Sequence, residues 1–264
     1  MTRIDKPIPR ILITNDDGSR AEGLKVLEQI AAELSDDVWV VVPEHDQSGV
    51  SHSISLHTPL RIYSVSDRYH CVNGTPADCV LLAAEHLMRD RKPSLILSGV
   101  NRGANVSDAV AYSGTVGAAM TGVLLGIPSI ALSQYFEEPD NIRWDTAAQL
   151  APTVILHALR CGWSSQVSIN INFPDIPPDQ VRGVKVCRPV PGSIVGVEID
   201  QREDQRGIPY FWLGFRYAPK EAAAPGSDVE ALRQGYISVS PLRFESAIQE
   251  DWHELSEALR NCLG

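Results

Sequence analysis

Two acids stand side by side where an apolar run ends: Ile11, Leu12, Ile13 and Thr14 lead directly into Asn15, Asp16, Asp17 and Gly18. A simple turn is the plainer reading, because Asn, Asp and Gly all tolerate tight backbone geometry and one Asp suffices to cap a helix. Adjacent carboxylates repel unless a cation shares them, however, and that favours a metal. A second polar, glycine-containing loop, Pro43 to Ser53, follows the run Val38 to Val42 and carries Ser48. A third, Ser98 to Asp108, follows Ser94 to Leu97 and carries Asn101. Asp16 and Asp17 as anionic ligands, with the Ser48 hydroxyl and the Asn101 amide oxygen as neutral ones, suit a hard divalent cation. Mg²⁺ or Mn²⁺ fits that oxygen set better than Zn²⁺, which prefers Cys and His. About two positions of an octahedral shell remain for water and a substrate phosphate oxygen. Such a cation polarises a phosphoryl group and lowers the pKa of a bound water. Ser113, Gly114 and Thr115 open a helix rich in small residues, where backbone N–H groups and hydroxyls can meet the other phosphate oxygens. An ordinary N-cap is the rival reading of that turn.

The elements that must position these residues read as an α/β fold. Short β-branched runs at Arg10 to Thr14, Val38 to Val42, Ser94 to Leu97, Ser129 to Leu132 and Val167 to Ile171 predict strands. Helical patterns alternate with them at Glu22 to Leu34, Ala77 to Arg89, Gly114 to Leu125 and Asp145 to Leu159. That alternation predicts a Rossmann-like layered, mostly parallel sheet over residues 1–176, in which ligands collect outside the carboxyl ends of the strands. Thr58 to Val72 alternates weakly and predicts an extra hairpin or edge strands.

Beyond Pro174 the character changes. Six prolines between Pro174 and Pro209 interrupt any helical period, while Val184 to Val190 and Tyr210 to Phe215 look extended. Residues 177–264 are thus expected to form a smaller, β-rich C-terminal appendage, ending in a strand at Gly235 to Val239 and a terminal helix at Ser246 to Leu259 that returns to the core. The aromatic run Tyr210, Phe211, Trp212 carries more apolar surface than a lone hairpin buries, so it is expected to pack on the main domain or on another subunit.

Composition narrows the function. With 33 acidic against 23 basic residues the net charge is −10, which argues against a nucleic-acid partner, since phosphate backbones need a basic face. No apolar run approaches the roughly 20 residues of a membrane span, and Met1 to Arg10 shows no apolar stretch after its charges. The five cysteines, Cys71, Cys79, Cys161, Cys187 and Cys262, form neither an even framework nor a CxxC pair. A soluble cytoplasmic protein with reduced thiols is the expectation.

Other candidates carry less. His52 reads equally as a proton donor near the second loop and as a structural residue. Asp78 follows Gly74, Thr75 and Pro76, where capping is the leading reading. Asp108 reads as an orienter of the phosphate loop or as part of a turn. No Gly-x-Ser-x-Gly elbow supports a serine nucleophile, and the dinucleotide fingerprint Gly-x-Gly-x-x-Gly is absent after the first strand, against a nucleotide-cofactor oxidoreductase. A direct attack by Asp16 or Asp17 stays open beside attack by metal-bound water. A non-enzymatic nucleotide sensor using the same crevice is the remaining alternative.

Asn15 to Gly18, Gln47 to Gly49 with His52 to Ile54, Gly74 to Val80, Ser98 to Gly103 with Asn105 and Asp108, Tyr112 to Val116, and Gly235 to Leu242 together resemble the SurE family of survival-protein nucleotidases. The resemblance implies a divalent-metal phosphomonoesterase acting on nucleoside 5′- and 3′-monophosphates, in some members also on short polyphosphate. By matching position it implies metal ligation by Asp16, Asp17, Ser48 and Asn101, one cation per subunit. It also implies that Asn105 and Ser113 to Thr115 line the phosphate pocket. A Rossmann-like core and exchanged C-terminal arms are implied as well, hence a homodimer or homotetramer. Between Arg188 and Ala224 the resemblance thins, and no base preference follows from it.

Overall fold

The computed structural model describes residues 6–219 and 223–244. The chain opens with β1 (Ile11–Thr14), α1 (Glu22–Leu34) and β2 (Val38–Pro43), then an edge hairpin of β3 (Ile62–Ser66) and β4 (Tyr69–Val72). There follow α2 (Pro76–Leu82), β5 (Leu95–Arg102), α3 (Gly114–Leu124), β6 (Ser129–Gln134), α4 (Trp144–Cys161) and β7 (Val167–Phe173). The last part supplies β8 (Val184–Val186), β9 (Ile194–Glu203), β10 (Pro209–Tyr217), α5 (Asp228–Arg233) and β11 (Ile237–Arg243).

Nine strands form one mixed sheet in the order β3-β4-β2-β1-β5-β6-β7-β11-β8. The six strands from β4 to β7 run parallel. β3 and β11 pair antiparallel to β4 and β7, and β8 lies parallel to β11. The α/β layered class is therefore as expected. Residues 184–186 and 237–243 complete an edge of this sheet, so among the described residues the separate β-structure is confined to the two-stranded ribbon β9–β10. The expected terminal helix, Ser246 to Leu259, lies outside the described residues.

Side chains alternate across the parallel strands and build two cores. Ile11 and Ile13 face a layer made by Leu24, Leu27, Ile30 and Leu34 of α1 and by Ala147, Ala151 and Ile155 of α4. Leu12, Val41, Val72 and Ile96 face the opposite way, onto Cys79 and Val80 of α2. Each large aliphatic side chain buried this way contributes about 1.5–3 kcal/mol, so the two layers hold the strand ends rigidly in register. The helix expected over Ala77 to Arg89 is regular only through Leu82. Its last turns widen, with Met88 N–H donating to the Ala83 carbonyl at 2.8 Å, five residues back.

The order in which parallel strands are added to the sheet reverses between β1 and β5. From β1 the chain fills one side of the sheet with β2 and β4, whereas β5, β6 and β7 fill the other. In an open parallel sheet this is where a crevice opens at the carboxyl ends of the strands. Asp16 and Asp17 leave one lip and Asn101 stands on the other.

Candidate active site

The β1 turn is shaped by its own side chains. Asn15 Nδ2 donates to the Gly18 carbonyl at 2.9 Å, and the Gln47 N–H donates to the Asp16 carbonyl at 2.7 Å. The second contact ties the β2 loop to the β1 turn and so brings Ser48 into the crevice. Asp46 Oδ1 accepts from the Ser48 N–H at 2.7 Å, which fixes the backbone of that loop. Ser51 then straps it to the turn that leads into α3, donating from N–H to the Tyr112 carbonyl (3.1 Å) and from Oγ to the Ala111 carbonyl (2.7 Å).

Asn101 was expected in a loop, but β5 continues through Arg102 and places it on the strand. The pairing of β5 with β6 slips between Ser98 and Asn101, as in a bulge that gives the strand one extra residue. Gly99 sits at that point with φ of 133°, a conformation that suits glycine. Asn101 Nδ2 donates to the Gly103 carbonyl at 2.8 Å, which leaves the amide oxygen as the free end of the side chain.

Asp16 is the most perturbed acid of the site. It is buried, and burial together with the charge of Asp17 pushes its pKa up to about 7, against the opposing effect of hydrogen bonds from Thr115. Thr115 Oγ1 donates to Asp16 Oδ1 at 2.5 Å. Asp17 is raised too, first by burial and then by the charge of Asp46, while the Arg102 N–H, 3.0 Å from its Oδ2, acts in the other direction. Two neighbouring carboxyls held out of water, each disfavoured as an anion, form a site that a cation would relieve. Asp16, Ser48 and Asn101 share one cavity and offer oxygens of the kind a hard divalent ion takes, while Asp17 borders the neighbouring cavity. Among the described residues no three His, Cys, Asp or Glu side chains converge to hold a metal, so neutral oxygens and substrate must complete any shell here.

The start of α3 closes one side of the crevice. Ser113 is its N-cap, with Oγ accepting from the Val116 N–H at 3.0 Å. A Cβ on Gly114 would lie 2.8 Å from the Asp16 Cβ, so glycine alone lets the helix start approach the carboxylate. The Thr115 hydroxyl is committed to Asp16. Asn105 is also tightly held: its N–H donates to Asn172 Oδ1 at 2.7 Å and its Nδ2 to Ser133 Oγ at 2.9 Å, while its carbonyl accepts from Asn170 and Asn172.

Asp16, Ser48, Asn101, Asn105 and Ser113 line one cavity of 650 Å³. Asp17 instead lines a smaller neighbouring cavity of 380 Å³ with Asp46 and Arg102, and Arg102 separates the two. The sequence reading missed the other wall of the larger cavity. Tyr112, Tyr135, Phe136, Phe215 and Tyr217 line it together with the segment Val190 to Ser193, so the C-terminal ribbon reaches the site. The cavity lining therefore combines a carboxylate and other oxygen-bearing side chains with several aromatic rings.

Of the remaining candidates, His52 packs its ring on Phe244 at 5.0 Å and is not among the cavity residues. Asp78 forms a capping box with Thr75 and also accepts from Ser55, so the structural reading holds. No helix among the described residues is long and apolar enough to cross a membrane.

Comparison with known proteins gives a consistent picture. A family profile described as Survival protein SurE matches residues 11–194. The protein named 5'-nucleotidase SurE 1 of Burkholderia lata is 51% identical over 89% of this chain and 91% of its own length. The 5'-nucleotidase SurE of Bradyrhizobium diazoefficiens is 48% identical over 95% of this chain and all of its own (100%). The solved SurE protein from Aquifex aeolicus superposes with a TM-score of 0.81 at 32% identity, covering 96% of this chain and 100% of that one. The fold, the crevice at the strand ends and these likenesses agree: the chain belongs to the SurE family.

Proposed function

We propose that this protein is a divalent-metal-dependent nucleotidase that hydrolyses nucleoside 5′- and 3′-monophosphates to nucleoside and orthophosphate, and also accepts short polyphosphate. The observation that carries this reading is the pairing, in one cavity, of the Asp16 carboxylate and its oxygen neighbours with aromatic rings. A phosphate needs the first and a nucleoside the second. The names of the relatives support the 5′ activity.

Asp16, Asp17, Ser48 and Asn101 would hold one Mg²⁺ or Mn²⁺ per subunit. When bound, the cation supplies Lewis-acid polarisation of the phosphoryl group and charge balance for the two carboxylates. Asn105 and the N-terminus of α3 at Ser113 and Gly114 serve the phosphate, where N–H groups and the helix dipole favour an anion, and Thr115 of the same turn acts through Asp16. Thr115 donates to Asp16 and so favours its anionic form against the opposing effect of burial. The aromatic rings of the lining offer the base a face to stack on.

We also propose that the subunits assemble into a homodimer or homotetramer through the β9–β10 ribbon. Register places Val197, Ile199, Phe211, Leu213 and Phe215 on one face. Leu213 is 76% exposed and Ile199 64% in the single chain, an apolar face that a ribbon of two strands cannot bury by itself.

The test is phosphate release from a panel of nucleoside 5′- and 3′-monophosphates and tripolyphosphate, with Mg²⁺ or Mn²⁺ added to metal-stripped protein. Turnover restored by the cation supports the nucleotidase. Nucleotide binding with no release above the metal-free control supports a sensor instead.

A further inference from the structure

The lining segment Val190 to Ser193 is held from outside by a residue that does not line the cavity. Val190, Pro191, Gly192 and Ser193 are wall residues and lead directly into β9. Asp108 gathers that segment on a single carboxylate oxygen: Oδ2 accepts from the Gly192 N–H at 2.8 Å, the Ile194 N–H at 2.9 Å and Ser193 Oγ at 3.3 Å. Its neighbour Ser107 adds two bonds, donating from Oγ to the Val190 carbonyl at 2.6 Å and accepting from the Ser193 N–H at 3.3 Å. Ser107 itself has φ of 53°, uncommon for a residue with a side chain. Its N–H donates at 2.9 Å to the buried Asp228 carboxylate at the start of α5.

The same turn, Ser107–Tyr112, runs on into the α3 N-cap, and its last ring, Tyr112, meets Phe215 of β10 at 5.1 Å. Two parts of the cavity are thus joined here. The N–H groups of Ile194 and Gly192 hold the Asp108 carboxyl below its ordinary range, which agrees with an anion engaged by oriented donors. None of these contacts involves Asp16, Ser48 or Asn101.

We propose that Asp108 is a positioning residue for substrate selection: by fixing residues 192–194 it holds the wall against which the nucleoside half of the substrate lies, and so sets the preference for nucleotides over smaller phosphomonoesters. The inference rests on the nucleotidase reading given above. It separates the two halves of the substrate. Loss of the anchor loosens the nucleoside wall, while the phosphate end keeps its own supports.

Asp108→Ala and Asp108→Asn test it against a nucleoside 5′-monophosphate and against glycerol 2-phosphate, which lacks the base. In Asp108→Ala the KM for the nucleotide is expected to rise about tenfold, with kcat on both substrates, and KM for glycerol 2-phosphate, within about twofold of wild type. Asp108→Asn keeps an acceptor oxygen and falls between. Hydrogen exchange at the Gly192 and Ile194 amides quickens in Asp108→Ala, with the amides of β5 and β6 unchanged. An equal loss on both substrates, an unchanged nucleotide KM, or unchanged exchange at Gly192 and Ile194 overturns the inference while leaving a nucleotidase in place. A wild-type protein that releases phosphate from neither substrate overturns the nucleotidase reading, and this inference with it.

Discussion

Thr115 Oγ1 and Asp16 Oδ1 are 2.5 Å apart, across 99 residues of sequence, in the most deeply buried part of the crevice. The threonine is wholly buried and its hydroxyl donates to a carboxylate whose pKa burial raises, opposing that rise. Thr115→Val keeps the shape and removes the donor. A hydrogen bond to a charged group contributes about 1.5–3 kcal/mol, so the Asp16 pKa should rise further and Mn²⁺ affinity at pH 7 should fall about tenfold or more. Calorimetric titration of the metal-stripped variant checks this; unchanged affinity would mean that the contact is incidental to cation binding.

Asp16 also sets a pH dependence of stability. Its folded pKa of about 7 lies above the ordinary 3.8, so between those values the folded protein keeps a proton that the unfolded chain has lost. Stability of the metal-free protein therefore falls as pH rises through that window, at up to roughly 1.4 kcal/mol per unit, and levels above it. Asp16→Asn removes the term. Urea melts of both proteins in chelator, from pH 5 to pH 8, should show the variant gaining on wild type as pH rises, and saturating Mg²⁺ should narrow the gap by stabilising wild type. A gap independent of pH would show that Asp16 titrates as an ordinary carboxylate.

The ribbon gives a prediction about assembly. Leu213 and Ile199 face each other across β9 and β10 on the apolar side. Leu213→Glu places a charge at the centre of that face, where burial of an unpaired carboxylate is costly. Sedimentation should show wild type as a dimer or tetramer and the variant shifted toward monomer, with the melting temperature of the core little changed. A wild type that sediments as a monomer at micromolar concentration would contradict this use of the ribbon.

Much of the architecture is legible locally. Ile11 to Thr14 is a buried strand because four apolar or β-branched residues stand between polar flanks, Arg10 and Asn15, and its end at Asn15 marks the crevice. Asn101 was harder to place, because Gly99 and the bulge interrupt the alternation that identifies a strand. The aromatic wall of the cavity was not legible at all. Phe215, Tyr217 and residues 190–193 reach the site through contacts such as Gly192 with Asp108, 84 residues apart, and no periodicity reports such a pairing. Likewise, the sequence presents Ser113, Gly114 and Thr115 as one phosphate turn, whereas packing divides their work: Ser113 caps, Gly114 makes room and Thr115 serves Asp16.

The central claim is that the paired acids hold the cation on which hydrolysis depends. The most direct measurement compares wild type and Asp17→Asn after metal stripping, following phosphate release from a nucleoside 5′-monophosphate as Mg²⁺ or Mn²⁺ is titrated back, with circular dichroism confirming the fold of each. Turnover in wild type should return with the cation, and in Asp17→Asn it should stay at least about a hundredfold lower, a loss of roughly 2.7 kcal/mol in transition-state stabilisation. Full activity in a folded Asp17→Asn, or undiminished wild-type turnover without any divalent cation, would contradict the account.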